Sequence, residues 1–182
     1  MTGLGLDWST SLSTVGEMRS IDLLVAGGTV LPLDATNSVI ENGGVAIDGD
    51  RIVAVGPLGE LRAAFEARLE LPARRHAILP GLIDTHGHAG HTLVRTIGTH
   101  CTPYGWRALV DHIYFRATTE DFWLADGLLS AVERLKFGTT TGVAMLGSAP
   151  RVDRPEFARQ FASGYGQVGS RVVVGVGPPR PP

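Results

Sequence analysis

Cysteine is nearly absent. Cys101 stands alone among 182 residues, so no internal disulfide can form and nothing points to an oxidising compartment. An excess of one charge is also missing: 16 Lys and Arg against 18 Asp and Glu leave a formal charge of −2, which argues against nucleic acid as a main partner. No apolar run approaches the roughly 18 to 20 residues of a membrane span. Residues 1–19 have neither a basic n-region nor an apolar core, so they do not read as a signal peptide. The expectation is a cytoplasmic chain with neither a nucleic-acid nor a membrane partner. What is present, 43% hydrophobic residues with 24 Gly and 11 Pro, belongs to a globular chain. A complete (β/α)8 barrel takes about 250 residues, more than this chain holds.

The texture changes along the chain. Residues 1–20 are rich in Gly, Ser and Thr and read as a loose leader. Residues 21–75 then read as a small β-rich segment. Ile21-Asp22-Leu23-Leu24-Val25 and Thr29-Val30-Leu31 are short strands around a Gly27-Gly28 turn. Two further runs flank Asp48-Gly49-Asp50, a hairpin signal because Gly accepts the positive φ of a tight turn. Residues 21–56 are therefore expected to form an antiparallel unit. Leu58, Leu61, Ala64 and Phe65 have helical spacing, and 72–75 reads as a linker.

From residue 76 to 182 the order is β, long loop, α, β, α, β. Residues 77–84 form an apolar run, expected as a strand buried on both faces. Residues 88–118 read as a long irregular loop. Residues 118–137 give a helix, with Thr118-Thr119-Glu120-Asp121 at its start and Gly138 just past its end. Its expected apolar stripe is Leu124, Leu128, Ala131, Val132 and Leu135. Residues 139–145 are a second strand, 153–163 a second helix and 171–176 a third strand. Such alternation implies parallel strands with helical crossovers. The fold class is thus α/β.

The chemistry-bearing motif is His86-Gly87-His88, at the C-terminal end of the first strand of that series. Residues i and i+2 of a strand share a face. Two imidazoles side by side can reach one divalent ion at roughly 2.0 to 2.1 Å. Gly87 leaves room between them. Asp84 has the same parity and can accept an N–H from a neighbouring imidazole, fixing its tautomer. Active sites of barrel folds gather at this end of the strands.

The stretch from Ile78 to His88, Ile-Leu-Pro-Gly-Leu-Ile-Asp-Thr-His-Gly-His, resembles the signature of the metal-dependent amidohydrolase superfamily. The β-rich segment ending in Gly-Asp-Arg-Ile-Val-Ala-Val-Gly is similar to that family's N-terminal β-sandwich. His91-Thr92-Leu93-Val94-Arg95, Trp106 and residues 134–141 resemble its aminohydrolase subgroup, which includes methylthioadenosine/adenosylhomocysteine deaminase, guanine deaminase and the triazine hydrolases.

The resemblance implies a partial (β/α)8 barrel, about three of the eight strands, preceded by a small antiparallel β-sandwich segment. It implies a divalent metal, zinc foremost and iron the alternative, with His86 and His88 as its first two ligands. The implied activity is hydrolysis of a carbon–nitrogen bond other than a peptide bond, above all deamination of a nitrogen heterocycle by metal-activated water. The family needs two further His and an Asp from later strands. His100 and His112 fall in the first loop, no His follows Met145, and no catalytic acid or base is identified. The expectation is therefore an N-terminal part, inactive alone. The alternative is a non-catalytic truncated α/β fragment or interaction module.

Other features have two readings each. His91 faces the substrate or is a loop histidine in water. Arg95 anchors a ligand or forms a surface ion pair. Trp106 lines a heterocycle pocket or packs a helix, as Phe122 and Trp123 are expected to do. His100 and Cys101 have nothing to orient them as a nucleophile pair. Gly164-Tyr165-Gly166-Gln167-Val168-Gly169 spells G-x-G-x-x-G, but a helix precedes it and a strand follows, the reverse of a dinucleotide site. It reads instead as a helix-to-strand connection. The last strand is expected to present an unpaired apolar edge, hence self-association.

Overall fold

The Gly-rich punctuation of the sequence produces two units in a computed structural model that describes residues 18–146 and 154–177. The units are Met1–Pro80 and Gly81–Pro182. The expected leader falls outside the described residues up to position 17.

In the first unit, β1 (Arg19–Val30) is one long strand, not two strands and a turn. Gly27 does take a positive φ of 82°, but the result is a bulge in the pairing with β2 (Ile40–Asp48), and the chain keeps its direction. The hairpin into β3 (Arg51–Pro57) forms as expected, with Gly49 at φ 58°. The helix α1 (Leu58–Ala64) ends one residue before Phe65, which opens a strand instead. That strand, β4 (Phe65–Pro72), runs parallel to β1, as does β5 (Ala77–Ile78). Residues 21–56 thus form the expected antiparallel unit, and the parallel β4 and β5 beside β1 make the sheet as a whole mixed.

The expected linker also has a structural role. Ala73 N–H donates to Ala26 O at 2.7 Å and Thr29 N–H to His76 O at 3.0 Å, so 73–76 follows β1 from β4 to β5. The core of this unit is apolar: Ile21, Leu24, Ala26, Ala46, Leu58, Leu61 and Phe65.

In the second unit, β6 (Leu82–Asp84), β7 (Thr139–Met145) and β8 (Arg171–Gly175) form a parallel sheet in the order β6-β7-β8. The apolar run 77–84 is divided between the two sheets by Pro80-Gly81. Its residues are not buried on both faces: Leu82 is 52% and Ile83 69% exposed. Among the described residues β6 pairs with β7 alone, and its side chains meet little of the core.

The expected loop contains α2 (Pro103–Arg116). Thr102 caps it, its side chain accepting from Gly105 N, and Pro103 sits in its first turn, where a missing N–H costs nothing. The helix α3 (Glu120–Lys136) begins and ends where the sequence places it. The Thr119 side chain accepts from Phe122 N, and Gly138 takes φ 84° beyond its end.

The buried face of α3 is turned from the expected stripe. Trp123, Asp126, Gly127, Ser130 and Ala131 are buried, while Val132 is exposed. The cause is the close approach of α4 (Pro155–Val168): a Cβ on Gly127 would overlap Phe161 O, and one on Gly164 would lie 2.6 Å from Leu128 N. Small residues set this contact, so the larger leucines sit beside it. The G-x-G-x-x-G string is mostly the last turn of α4, with Gly169 at φ 78° closing it. The expected start of that helix at Asp153 falls outside the described residues.

Candidate metal centre

The strand proper stops at Asp84, and the next residues bend while staying tied to the end of β7. His86 N–H donates to Asp84 Oδ1 at 3.1 Å, so the carboxylate closes a tight turn on its own chain. Met145 N–H donates to Gly87 O at 2.7 Å and Ala89 N–H to Met145 O at 3.0 Å. His86 and His88 are thereby held at the C-terminal edge of the sheet, both exposed.

Their ring centroids are 5.0 Å apart, with planes at 82°. Two imidazoles sharing one tetrahedral ion at about 2.0–2.1 Å place their centroids about 5 Å apart. The pair thus fits two positions of such a site. Among the described residues no group of three His, Cys, Asp or Glu side chains converges to complete it.

A second layer of rings continues from the pair. His91 lies 5.5 Å from His88, 5.4 Å from Trp106 and 5.9 Å from Tyr114, centroid to centroid. Tyr114 Oη and His91 Nδ1 share a hydrogen bond of 3.0 Å. Burial depresses the His91 pKa, and the charges of His88 and Arg107 push it the same way. Burial raises the Tyr114 pKa, with Asp126 and Asp111 adding to the shift. His91 is thus a half-buried imidazole, biased toward its neutral form, held between a phenol and an indole.

The segment carrying His91 is fastened from below by Asp126 of α3, which is fully buried. Its two carboxylate oxygens accept from Gly90 N at 2.7 Å and Leu93 N at 2.9 Å. Burial raises the Asp126 pKa, and the backbone donors from Leu93, Gly90 and Thr92 oppose it.

Three more expected site residues have definite places. Trp106, on α2, faces His91. Arg95 turns to Glu133 of α3 at 2.6 Å, and its Nε donates to Thr92 O at 3.0 Å. Asp84 meets Arg134 of α3, Nη1 to Oδ2 at 2.7 Å, besides the His86 amide. Cys101 is exposed, and His100 has φ 69°.

Sequence reasoning missed Tyr114, Asp126 and Arg134. One signal was available for Asp126: an acid three residues after Trp123, between Trp123 and Ser130 on one helix face, needs a partner if that face is buried.

The geometry is thus a parallel α/β unit with two histidines side by side at its C-terminal edge. Comparisons with known proteins place that unit in a family. A profile described as "Imidazolonepropionase-like composite domain, bacteria" matches residues 43–65. A 5-methylthioadenosine/S-adenosylhomocysteine deaminase of Syntrophobacter fumaroxidans is 35% identical over 163 residues, 88% of this chain and 34% of that one. The first deaminase of that name in Syntrophus aciditrophicus is 39% identical over 127 residues, 68% of this chain and 28% of that one.

Among solved structures, a zinc-bound adenosine deaminase of Xanthomonas campestris superposes with a TM-score of 0.71 at 26% identity, covering 86% of this chain and 34% of that one. An atrazine chlorohydrolase of Arthrobacter aurescens, complexed with zinc and atraton, also gives 0.71 at 23% identity, covering 84% and 35%, a likeness of fold. The chain belongs to the amidohydrolase superfamily and matches its N-terminal part. It spans about a third of the length of the curated relatives it matches.

Proposed function

We propose that this chain supplies the first half of the metal centre of a hydrolase acting on carbon–nitrogen bonds, with a nitrogen heterocycle as substrate and hydrolytic deamination as the reaction. The observation that carries the reading is the 5.0 Å separation of the His86 and His88 rings at the sheet's C-terminal edge. The names of the relatives support deamination, and the zinc in the solved neighbours supports zinc as the ion. Bound there, a divalent cation makes water a nucleophile at neutral pH.

In this reading the chain's own residues bind and orient. His86 and His88 hold the ion. His91 and Trp106 form one wall for a flat ring, with Tyr114 fixing the His91 ring. Residues 21–75 are the first part of a β-sandwich, and 76–182 are the first βα units of the barrel. Two ligands make a weak site, so the chain alone binds zinc without turning over substrate, in a cytoplasmic setting.

Equilibrium dialysis of the chain against excess zinc tests this. One weakly held zinc per chain, lost in His86→Ala, is expected, together with no ammonia release from 5′-methylthioadenosine. Zinc retained by His86→Ala would overturn the ligand assignment, and ammonia release by the chain would overturn the half-site reading.

A second reading has its own observation. Val173 of β8 is 64% exposed, as are most of Leu82 and Ile83, and such a surface suits association with another copy. Concentration-dependent mass in light scattering would support it, and a monomer at all concentrations would contradict it.

A further inference from the structure

The guanidinium of Arg134 lies in a slot that two glycines open. A methyl at Gly87 would overlap Arg134 Nη2, and one at Gly142 would lie 2.5 Å from Nη1. Gly87 stands between the two histidines, and Gly142 is the β7 residue paired with Asp84. The Arg134 side chain is only 19% exposed although it belongs to the last turn of its helix. A lone surface ion pair requires none of this clearance.

From the slot, Nη1 stands 2.7 Å from Asp84 Oδ2 as a charge contact without an aligned hydrogen bond, and the other oxygen of that carboxylate accepts the His86 amide at 3.1 Å. One unbroken connection therefore runs from α3, through a planar cation and a carboxylate, to the backbone of the first imidazole. Arg suits the task better than Lys, because its flat, permanently charged guanidinium fills the slot that Gly87 and Gly142 leave open.

We infer that Arg134 is a positioning residue for the His86–His88 pair. It holds Asp84 in the one orientation that closes the turn at His86, and its bulk over Gly87 fixes how the backbone bends between the rings. It touches neither metal nor substrate. The inference rests on the reading of His86 and His88 as metal ligands. Partners of metal ligands commonly change affinity 10- to 100-fold when removed.

The test is titration of the full 182-residue chain with Zn2+ and Co2+, with hydrogen exchange at the His86 amide as a second readout. Arg134→Met and Asp84→Asn are each expected to weaken metal binding about 10- to 100-fold and to speed exchange at His86. The double variant should lose little more than either alone, because both act through one connection. Arg134→Lys should recover only part of the loss. Gly142→Ala, which keeps the arginine but drives its guanidinium out of the slot, should reproduce it and stands in if Arg134→Met does not fold. Thr119→Ala, which removes the N-cap of α3 far from the slot, should leave affinity unchanged.

Metal affinity in Arg134→Met within about twofold of the wild type would overturn the inference and leave the ligand assignment standing, because tenfold is the smallest loss expected. An equal loss in Thr119→Ala would reduce Arg134 to general support of the helix and overturn it likewise. Metal binding unaltered by His86→Ala would remove the ligand assignment, and the inference with it.

Discussion

The two units place polar side chains differently. In Met1–Pro80 the core residues are apolar, and the ion pairs Arg19–Asp48, Arg68–Asp22 and Arg62–Glu70 lie on its surface. In Gly81–Pro182 polar groups go inside. Asp126 is fully buried, Ser130 and Tyr165 share a buried hydrogen bond of 2.8 Å, and Arg134 is mostly covered. Buried polar groups are conformationally demanding, because each needs its partners in place. The unit that accepts this demand is the one with a segment to hold at fixed geometry, residues 84–95. The lesson is that carboxylates of the first unit fasten turns at its surface, as Asp34 does for 36–38, whereas the second unit takes polar groups into its interior to hold a segment.

The largest break in that comparison is expected from Asp126→Ala. It leaves the Gly90 and Leu93 N–H groups without their acceptor, at roughly 1–3 kcal/mol each. Denaturant unfolding of the second unit should register a loss of roughly 2–6 kcal/mol, and the His91 ring should lose its single environment in NMR. Next comes Gly127→Ala. Its methyl meets the backbone of Phe161, which cannot swing aside as a side chain would. About 1–3 kcal/mol is expected, read by the same unfolding curve. Thr119→Ala should remove about 1 kcal/mol by deleting a helix cap. The smallest effect belongs to the first unit: Arg19→Ala should change its stability by less than about 1 kcal/mol, although its ion pair measures 2.8 Å.

A pH series sharpens the same contrast. The folded pKa of Asp126 is raised by burial, so the folded state binds more protons than the unfolded state above the ordinary carboxylate pKa of about 4. The stability contribution of this group is full below that value. It declines as pH rises toward the folded pKa. Asp126→Asn should remove that decline, so the stability difference between wild type and variant should fall between the ordinary and the raised pKa. A difference that rises with pH would contradict the buried-acid account.

How much could be read from the sequence follows from which signals are local. The Asp48-Gly49-Asp50 hairpin, the limits of α3 and the strand Thr139–Met145 all rest on nearby residues: a glycine with positive φ, a threonine cap, a glycine past a helix end. The paired histidines were legible for the same reason. Elements that depend on distant partners were not. Phe65, Ala67, Leu69 and Leu71 alternate with Glu66, Arg68 and Glu70, a period of two that signals a strand, but the helical spacing of Leu58, Leu61 and Ala64 drew Phe65 into the preceding helix and masked it. The helix α2 has a capped start but only Val110 and Tyr114 buried, too few for a clear stripe. The α3 face was misjudged because leucines outrank glycine in apolarity, while backbone contact between helices selects glycine. Asp126 and Arg134 have partners 33 to 50 positions away, and no spacing rule reaches that far.

The central claim is that His86 and His88 share one cation. Anomalous diffraction at the zinc edge, from crystals of the chain grown with zinc, tests it most directly. The account expects a single strong peak about 2.0–2.1 Å from a ring nitrogen of each histidine. A peak on His100 or His112 instead, or none at the edge of the sheet, would contradict it.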